Sequence, residues 1–153
     1  LPWTDAVVSE TLRLYPPAWA TSRSATEAGE LRADGCAPVV IRPGTVLLLC
    51  LHAMHRDPTR WAHPEAFDPE RWLLDPSDGG VRGVTFPDLA YAPFGAGQRK
   101  CSGSRLAVLE AGIALATLAC GVDLTLLPDQ DIGVSAGMTL RPDGPVLARA
   151  SRA

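Results

Sequence analysis

A single cysteine follows a glycine-rich stretch in residues 94–107, which read FGAGQRKCSGSRLA. A helix predicted just after Cys101 would turn its positive end and unpaired N–H groups toward the sulfur, which favours the thiolate. Arg99 and Lys100 add positive charge, and a guanidinium binds a carboxylate through two N–H groups. Besides a structural cysteine, these residues leave three roles open: a nucleophile, a redox-active thiol or a metal ligand.

The neighbours of this cysteine predict a loop that lies against a bound group. Gly95 and Gly97 permit backbone conformations and a close approach that a side chain would prevent. Gly103 would let the start of the helix lie against a flat object. Phe94 would shield the sulfur from water.

Two other motifs contain charged residues near apolar ones. In ETLR, Glu10 and Arg13 are three residues apart, so they project from one helix face and can pair. The alternative is a solvated pair that contributes little to stability. In FDPERW, aromatic residues flank Arg71, and a buried arginine requires an acidic partner. The alternative is a surface arginine whose stem packs on Trp72.

The elements that must position these residues begin with a helix predicted over residues 4–14 and ended by Pro16 and Pro17. Residues 18–25 are expected to be extended. Two β-rich runs, APVVI and TVLLLCLHAM, flank Arg42-Pro43-Gly44, which suits a type II turn and predicts a hairpin.

The second half of the chain is predicted to begin with short helical turns and to continue with a long helix. Asp-Pro pairs at residues 57–58 and 68–69 are typical of helical turns within an irregular segment. Apolar residues at helical spacing predict the longest helix over residues 102–119, with Gly121 as a cap. Weak strand patterns follow at residues 122–127, 137–140 and 146–149.

Composition indicates one globular domain: of 153 residues, 46% are hydrophobic and 20% charged. The net charge of −3, without a basic run, argues against a nucleic-acid partner. The longest unbroken apolar run, near residues 46–51, is too short to cross a bilayer. The four cysteines lack zinc-site spacing, so reduced thiols of a cytoplasmic protein are favoured over a zinc site with His52, His55 and His63.

Taken in order, ETLRLYPP, HRDPTRW, FDPERW and FGAGQRKCSG resemble the C-terminal part of a cytochrome P450, a haem-thiolate monooxygenase. The residues of the ETLRLYPP and PERW motifs resemble those of the eukaryotic-like branch of that family more than those of the commonest soluble bacterial branch. The family's haem-binding pattern F-x-x-G-x-R-x-C-x-G is matched in full, as are its E-x-x-R pair and its later arginine. The matching residues are Phe94, Gly97, Arg99, Cys101 and Gly103, then Glu10 and Arg13, then Arg71.

The resemblance implies an α+β fold class for this chain, as the C-terminal fragment of a mainly α fold, with residues 1–153 forming a partial domain. Cys101 would be the axial ligand of the iron of haem b. Arg99 would pair with a haem propionate, and so, by position, would Arg23. Glu10, Arg13 and Arg71 would form a buried ion triad with a structural role. Residues 17–22 and 135–138 would line the substrate pocket.

The activity implied is insertion of one oxygen atom of O₂ into a small organic substrate. Electrons would come from a ferredoxin, a flavodoxin-type protein or a reductase, with Lys100 and Arg105 as candidate contacts. The alternatives are a haem-thiolate enzyme that isomerises or rearranges peroxides, and a non-catalytic remnant that binds no haem. No catalytic residue is expected within this chain, because the family's oxygen-activating helix would precede it. The chain alone is therefore expected to be inactive and poorly soluble. The location expected is cytoplasmic, and any membrane anchor would lie in the missing N-terminal part.

Overall fold

The computed structural model describes residues 1–33, 35–75, 80–81 and 90–153. The described part contains three α-helices, two short 3₁₀ helices and ten short strands. The α-helices are α1 (Pro2–Leu14), α2 (Leu51–Met54) and α3 (Ser104–Gly121), and the 3₁₀ helices are Pro69–Trp72 and Gly97–Arg99. The strands are β1 (Thr21–Ser24), β2 (Gly29–Leu31), β3 (Val39–Ile41), β4 (Val46–Leu49), β5 (Leu74–Asp75), β6 (Gly80–Val81), β7 (Val122–Leu126), β8 (Val134–Ala136), β9 (Leu140–Pro142) and β10 (Ala148–Arg152).

Helix α1 begins two residues before its predicted start and ends where predicted. Pro2 is tolerated in the first turn because the N–H that proline lacks would have no partner within the helix. Asp5 in the first turn and Arg13 in the last complement the helix dipole. Pro16 then prevents the helix from continuing.

The predicted hairpin has the right turn and the wrong strand pairing. Thr45 donates its N–H to the carbonyl of Arg42 at 3.0 Å, and Gly44 has φ of +84°, as a turn through Pro-Gly requires. However, β3 pairs with β2 and β4 pairs with β1, both antiparallel. The turn is a kink within one arm of a longer hairpin, because Gly44 and Thr45 hydrogen-bond across to Ala25 in the other arm.

The proline-rich segment contains the predicted helical turns and packs on α1. The Asp68 side chain accepts the N–H of Glu70 and caps the 3₁₀ helix Pro69–Trp72. Asp57 likewise accepts the N–H of Thr59 at 2.9 Å. The hydrophobic core of this region is made by Ala6, Trp61 and Trp72, with Leu73, Ala90 and Tyr91 packed against it.

Helix α3 starts two residues later than predicted and includes Gly121 as its last residue, so this glycine is not a left-handed cap. The helix packs on α1, where Gly112 lies close to Thr4 and Asp5. No residue of α3 is buried. After it, β7 pairs with β10 and β8 with β9, so the terminal strands form two separate antiparallel pairs.

The expectation that no segment could cross a bilayer requires correction. By length and composition, α3 is long and apolar enough to do so. The expectation considered only unbroken apolar runs, whereas α3 includes Arg105 and Glu110 among apolar residues. Core helices of soluble proteins satisfy the same criterion.

Candidate functional site

The cysteine loop is closed by backbone hydrogen bonds on both sides of its glycines. Cys101 donates its N–H to the carbonyl of Phe94 at 3.0 Å, and Lys100 donates to Gly97 at 3.1 Å. Gly95 and Gly97 have φ of +70° and +69°, a left-handed conformation that side chains with a Cβ disfavour. The loop therefore reverses direction twice within a few residues and leaves the Cys101 side chain exposed as a free thiol.

Cys101 lies three residues before the first residue of α3, separated from it by Ser102 and Gly103. The Ser104 N–H reaches the Cys101 carbonyl at 3.4 Å, which keeps the thiol close to the positive end of the helix. A Cβ built on Gly103 would lie 3.8 Å from the sulfur, an ordinary contact distance. Within this chain, the space around Gly103 therefore does not by itself require a glycine.

A cavity of about 430 Å³ brings the predicted site residues of the loop together with Arg23. Its polar or reactive lining residues are Cys101, Arg23, Arg99 and Thr21. The β1–β4 pair, the residues just before it and α2 form another wall, which is largely apolar. The residues of that wall include Ala20, Leu49, Leu51 and Met54, and the loop contributes Phe94, Gly95 and Gly97.

The two arginines of this cavity are both exposed. Arg23 lies on β1 and donates to the Thr21 hydroxyl at 3.2 Å and to the Ser22 carbonyl at 2.7 Å. Arg99 ends the 3₁₀ helix Gly97–Arg99. Neither arginine forms an ion pair with a residue that the structure describes. Arg23, which was assigned by its position in the sequence alone, thus lines the same cavity as the cysteine. Its pairing with a propionate stays a prediction.

Glu10 is fully buried and is the centre of a second group of predicted residues. Its carboxylate accepts Arg13 Nε at 2.8 Å and Arg13 Nη2 at 2.9 Å. Arg71 Nε donates to it at 3.1 Å. Two further donors, the N–H of Asp68 and the indole N–H of Trp72, both lie 2.8 Å away. A buried carboxylate held by so many donors is fully paired, as burial of a charge requires.

Arg13 is also fully buried and uses all five of its N–H groups. Two of them bind Glu10, and the other three donate to main-chain carbonyls between 2.7 and 2.9 Å away. Those carbonyls belong to His55, Pro64 and Ala66, so Arg13 fixes the irregular segment onto α1. The solvated alternative for the Glu10–Arg13 pair is therefore wrong.

Arg71 is largely buried, with 11% of its side chain exposed. Besides Glu10, it contacts the Ala62 carbonyl at 3.3 Å and the Asp68 carboxylate at 3.7 Å. Sequence reasoning treated Trp72 only as a packing surface and missed it as a donor to Glu10. The pattern offered one signal, since a buried tryptophan usually finds an acceptor for its N–H.

The pKa of Glu10 reflects two opposing effects. Burial raises this pKa, because it disfavours the charged form. The hydrogen bonds from Arg13, Asp68 and Trp72 outweigh burial, and the pKa lies below its usual value. Glu10 is therefore ionised at neutral pH, although the side chain is inaccessible to water.

The two segments predicted to line a substrate pocket lie next to each other. Trp19 donates its indole N–H to the Gly137 carbonyl at 2.9 Å. Leu140, at the start of β9, donates its N–H to the Pro17 carbonyl at 2.8 Å. Met138, at the tip between β8 and β9, is 98% exposed. Contact of these residues with a substrate stays a prediction.

His55 is a buried residue whose role sequence reasoning missed. From the sequence, His55 was considered only together with His52 and His63, as part of a zinc site. Among the residues that the structure describes, no three His, Cys, Asp or Glu side chains lie close enough together to hold a metal ion. His55 instead contacts α1 on one side and Ala92 on the other.

Comparison with known proteins identifies relatives of this arrangement. The sequence profile described as Cytochrome P450 matches residues 1–141. Cyclooctatin synthase of Streptomyces melanosporofaciens is 40% identical over 119 residues, which are 78% of this chain and 24% of that protein. Thromboxane-A synthase of Sus scrofa is 42% identical over 115 residues, 75% of this chain and 20% of that protein. The chain thus spans about a quarter or less of these curated relatives.

Solved structures agree with these relatives. The crystal structure of the cytochrome P450DA heme domain superposes with a TM-score of 0.79 at 26% identity, covering 98% of this chain and 30% of that one. The α+β arrangement described above is thus a part of the P450 heme-domain fold. From its family profile, its relatives and its fold, the chain belongs to the cytochrome P450 family, whose cofactor is haem.

Proposed function

We propose that this chain is the cysteine-ligand part of a haem-thiolate monooxygenase, which oxidises a small organic substrate with O₂ and electrons from a redox partner. The observation that supports it is the cavity of about 430 Å³ shared by Cys101, Arg99 and Arg23. One soft anionic ligand and two guanidinium groups around an apolar space are suited to a flat metallocofactor with carboxylate substituents.

The residues present fit haem b. Its iron would be held by one thiolate, which Cys101 would supply from an exposed position three residues before α3. The macrocycle is flat and apolar, and the Leu49, Leu51 and Met54 side chains line the same cavity. Its two propionates match the two arginines, since guanidinium groups bind carboxylates through paired hydrogen bonds.

Each of these residues has a defined task in this proposal. Cys101 would hold the iron and supply electron density from its sulfur, and the positive end of α3 would moderate that donation. Arg99 and Arg23 would hold the cofactor through its propionates. Phe94, which is half-buried beside the loop, excludes water from the sulfur. When bound, haem with a thiolate ligand supplies the chemistry that cleaves the O–O bond of oxygen.

Electron delivery is proposed to involve the exposed cations near the loop. Lys100 and Arg105 are both exposed and lie on either side of Cys101. They offer positive charge to an acidic ferredoxin, a flavodoxin-type protein or a reductase, and such complementarity speeds association. We further propose a cytoplasmic location, supported by four cysteines that are all free thiols.

The test is the reduced carbon monoxide spectrum of the whole protein that carries this chain. We expect a thiolate-type Soret band in the wild type and in the control Cys36→Ala, because Cys36 is exposed and distant in sequence from the loop. In Cys101→Ala this band is lost. A thiolate-type band that persists in Cys101→Ala would overturn the ligand assignment.

Dependence on a redox partner separates the monooxygenase from an isomerising or peroxide-rearranging enzyme. We expect substrate oxidation to require both O₂ and an electron donor. Turnover of a peroxide substrate without any donor would favour the rearranging alternative, and absence of haem binding would favour a non-catalytic remnant.

A further inference from the structure

His55 is a fully buried side chain that the proposed haem chemistry does not use. It follows directly on α2, and its ring lies 5.3 Å from that of Tyr91. Its Nδ1 is 3.1 Å from the carbonyl oxygen of Arg13, and its Nε2 is 2.9 Å from the N–H nitrogen of Ala92. The imidazole thus spans the gap between the end of α1 and the segment that precedes the cysteine loop.

The partners of His55 determine its tautomer. A carbonyl oxygen only accepts, so Nδ1 must carry the proton that is donated to Arg13. The Ala92 N–H only donates, so Nε2 must present its lone pair. Both bonds therefore exist together only in the neutral ring protonated on Nδ1. The Arg13 side chain also donates to the His55 carbonyl at 2.9 Å, which makes the contact with α1 reciprocal.

The bond to Ala92 connects to the cysteine through the backbone. The carbonyl of Ala92 accepts the N–H of Gly95 at 2.9 Å, which starts the first reversal of the loop. Two residues after Ala92, the carbonyl of Phe94 accepts the N–H of Cys101 at 3.0 Å. Displacement of Ala92 would therefore move both ends of the hydrogen-bonded loop that carries the thiol.

We propose that His55 is a positioning residue for the Cys101 ligand, a two-ended hydrogen-bond bridge that transmits the location of the Glu10–Arg13 ion pair to the cysteine loop. The proposal rests on the haem-thiolate function proposed above. It links the buried ion pair to the position of the cysteine ligand. Arg13 holds the irregular segment on α1, and His55 connects that segment and α1 to Ala92, which precedes the cysteine loop.

Two substitutions separate the two ends of the bridge. In His55→Asn, the short amide can donate to the Arg13 carbonyl but is too short to accept from Ala92. In His55→Gln, the longer side chain can place its amide oxygen near the former Nε2 and accept from Ala92. Both variants bury one amide in place of one imidazole, and unfolding measurements correct for any difference in their stabilities. His52→Gln is the matched control, because His52 is on the same segment and only partly buried.

In the experiment, the whole protein is first prepared without haem. Haem is then added stepwise, and the reduced carbon monoxide spectrum is recorded at each step. Urea unfolding and amide hydrogen exchange at Gly95 and Cys101 are measured on the same samples. We expect His55→Asn to weaken haem affinity on the order of 10-fold, at the lower end for an outer partner of a metal ligand. It should also lose part of its thiolate-type band and its amide protection at Cys101. His55→Gln keeps the bond to Ala92 and loses only the Arg13 end, so it should retain more of all three than His55→Asn, and His52→Gln should match the wild type.

Each outcome has a distinct meaning. If wild-type protein shows no thiolate-type band, the proposed function fails, and this inference fails with it. If the wild type ligates haem normally and His55→Asn matches it in affinity and Cys101 protection, the inference alone is overturned. It is also overturned if the Asn and Gln variants lose haem affinity equally at equal stability, since His55 would then contribute only to packing.

Discussion

At the scale of single residues, the buried carboxylate of Glu10 is the common acceptor of the ionic cluster that it forms with Arg13 and Arg71. It accepts hydrogen bonds from two arginines, one tryptophan and one main-chain N–H. A buried ion pair gains little net stability over an apolar pair, but removal of one member leaves the others charged and unpaired. The cluster therefore acts mainly by fixing how the irregular segment sits on α1.

Replacement of Glu10 by Gln tests this view. The amide keeps the shape but removes the charge that neutralises Arg13 and Arg71, so we expect a loss of about 3–5 kcal/mol in the free energy of unfolding. Urea unfolding of the whole protein measures it. The control is Glu30→Gln, which removes an exposed pair with Arg32 and should cost less than about 1 kcal/mol. Equal losses in the free energy of unfolding for the two variants would show that the buried contacts of Glu10 matter no more for stability than the exposed Glu30–Arg32 pair.

Acidification should destabilise the protein through His55 before it affects Glu10. Burial, with help from the positive charges of Arg13, Arg56 and His52, outweighs the hydrogen bond to the Arg13 backbone, which raises the pKa of His55, and lowers that pKa to about 4 from its usual 6.5. The unfolded chain therefore binds the proton more readily, and stability is complete above pH 6.5 and falls toward pH 4. The full loss is about 3 kcal/mol at 1.4 kcal/mol per pKa unit. Glu10, whose pKa is lowered, loses its contribution only below its usual 4.5.

The measurement is the free energy of unfolding between pH 7 and pH 4.5 by urea titration. His55→Gln should remove most of the slope in this range. His52→Gln should keep most of it, because the pKa of His52 is lowered by a weaker burial. A flat profile in the wild type would contradict the neutral buried imidazole.

At the scale of elements, local sequence signals located turns and helices better than they located strand partners. The Pro43-Gly44 pair fixes its turn through backbone preferences that are visible in two residues. The partner of β3 is β2, Gly29–Leu31, whose sequence GEL has no strand pattern. Its pairing with β3 depends on the other arm of the hairpin, which no local pattern reveals.

The glycines of the cysteine loop give a prediction at this scale. Gly97→Ala places a Cβ at φ of +69°, which costs about 1–2 kcal/mol, and the loop should relieve this by moving the thiol. We expect weaker haem binding and a smaller thiolate-type band, measured by haem titration. Gly121→Ala, at the last residue of α3, is the control and should leave both the haem titration and the spectrum unchanged. Unchanged haem titration in Gly97→Ala would contradict the role of this conformation.

At the scale of the whole molecule, sequence patterns named the three charged residues that meet around Glu10 but not the network that joins them. Glu10, Arg13 and Arg71 were identified by resemblance, whereas one helix turn alone could not distinguish a buried pair from a solvated one. The carbonyls of Pro64 and Ala66 that bind Arg13 carry no side-chain signal at all. The same holds for His55, whose partners are main-chain groups that only the folded chain brings together.

Helix α3 exposes several large apolar side chains in this chain. Leu109 and Ile113 lie one turn apart, are each 59% exposed and line a cleft of about 700 Å³ between α1 and α3. Leu106 is equally exposed, so the apolar residues form a continuous patch of the kind that binds hydrophobic dyes.

We therefore expect the 153-residue chain, expressed by itself, to bind anilinonaphthalene sulfonate strongly and to aggregate. Leu109→Lys with Ile113→Lys should lower both dye fluorescence and light scattering, because two charges interrupt the patch. Met138→Lys is the control: Met138 is 98% exposed at a hairpin tip, and its loss should change neither signal. Unchanged dye binding in the double variant would show that the dye binds elsewhere.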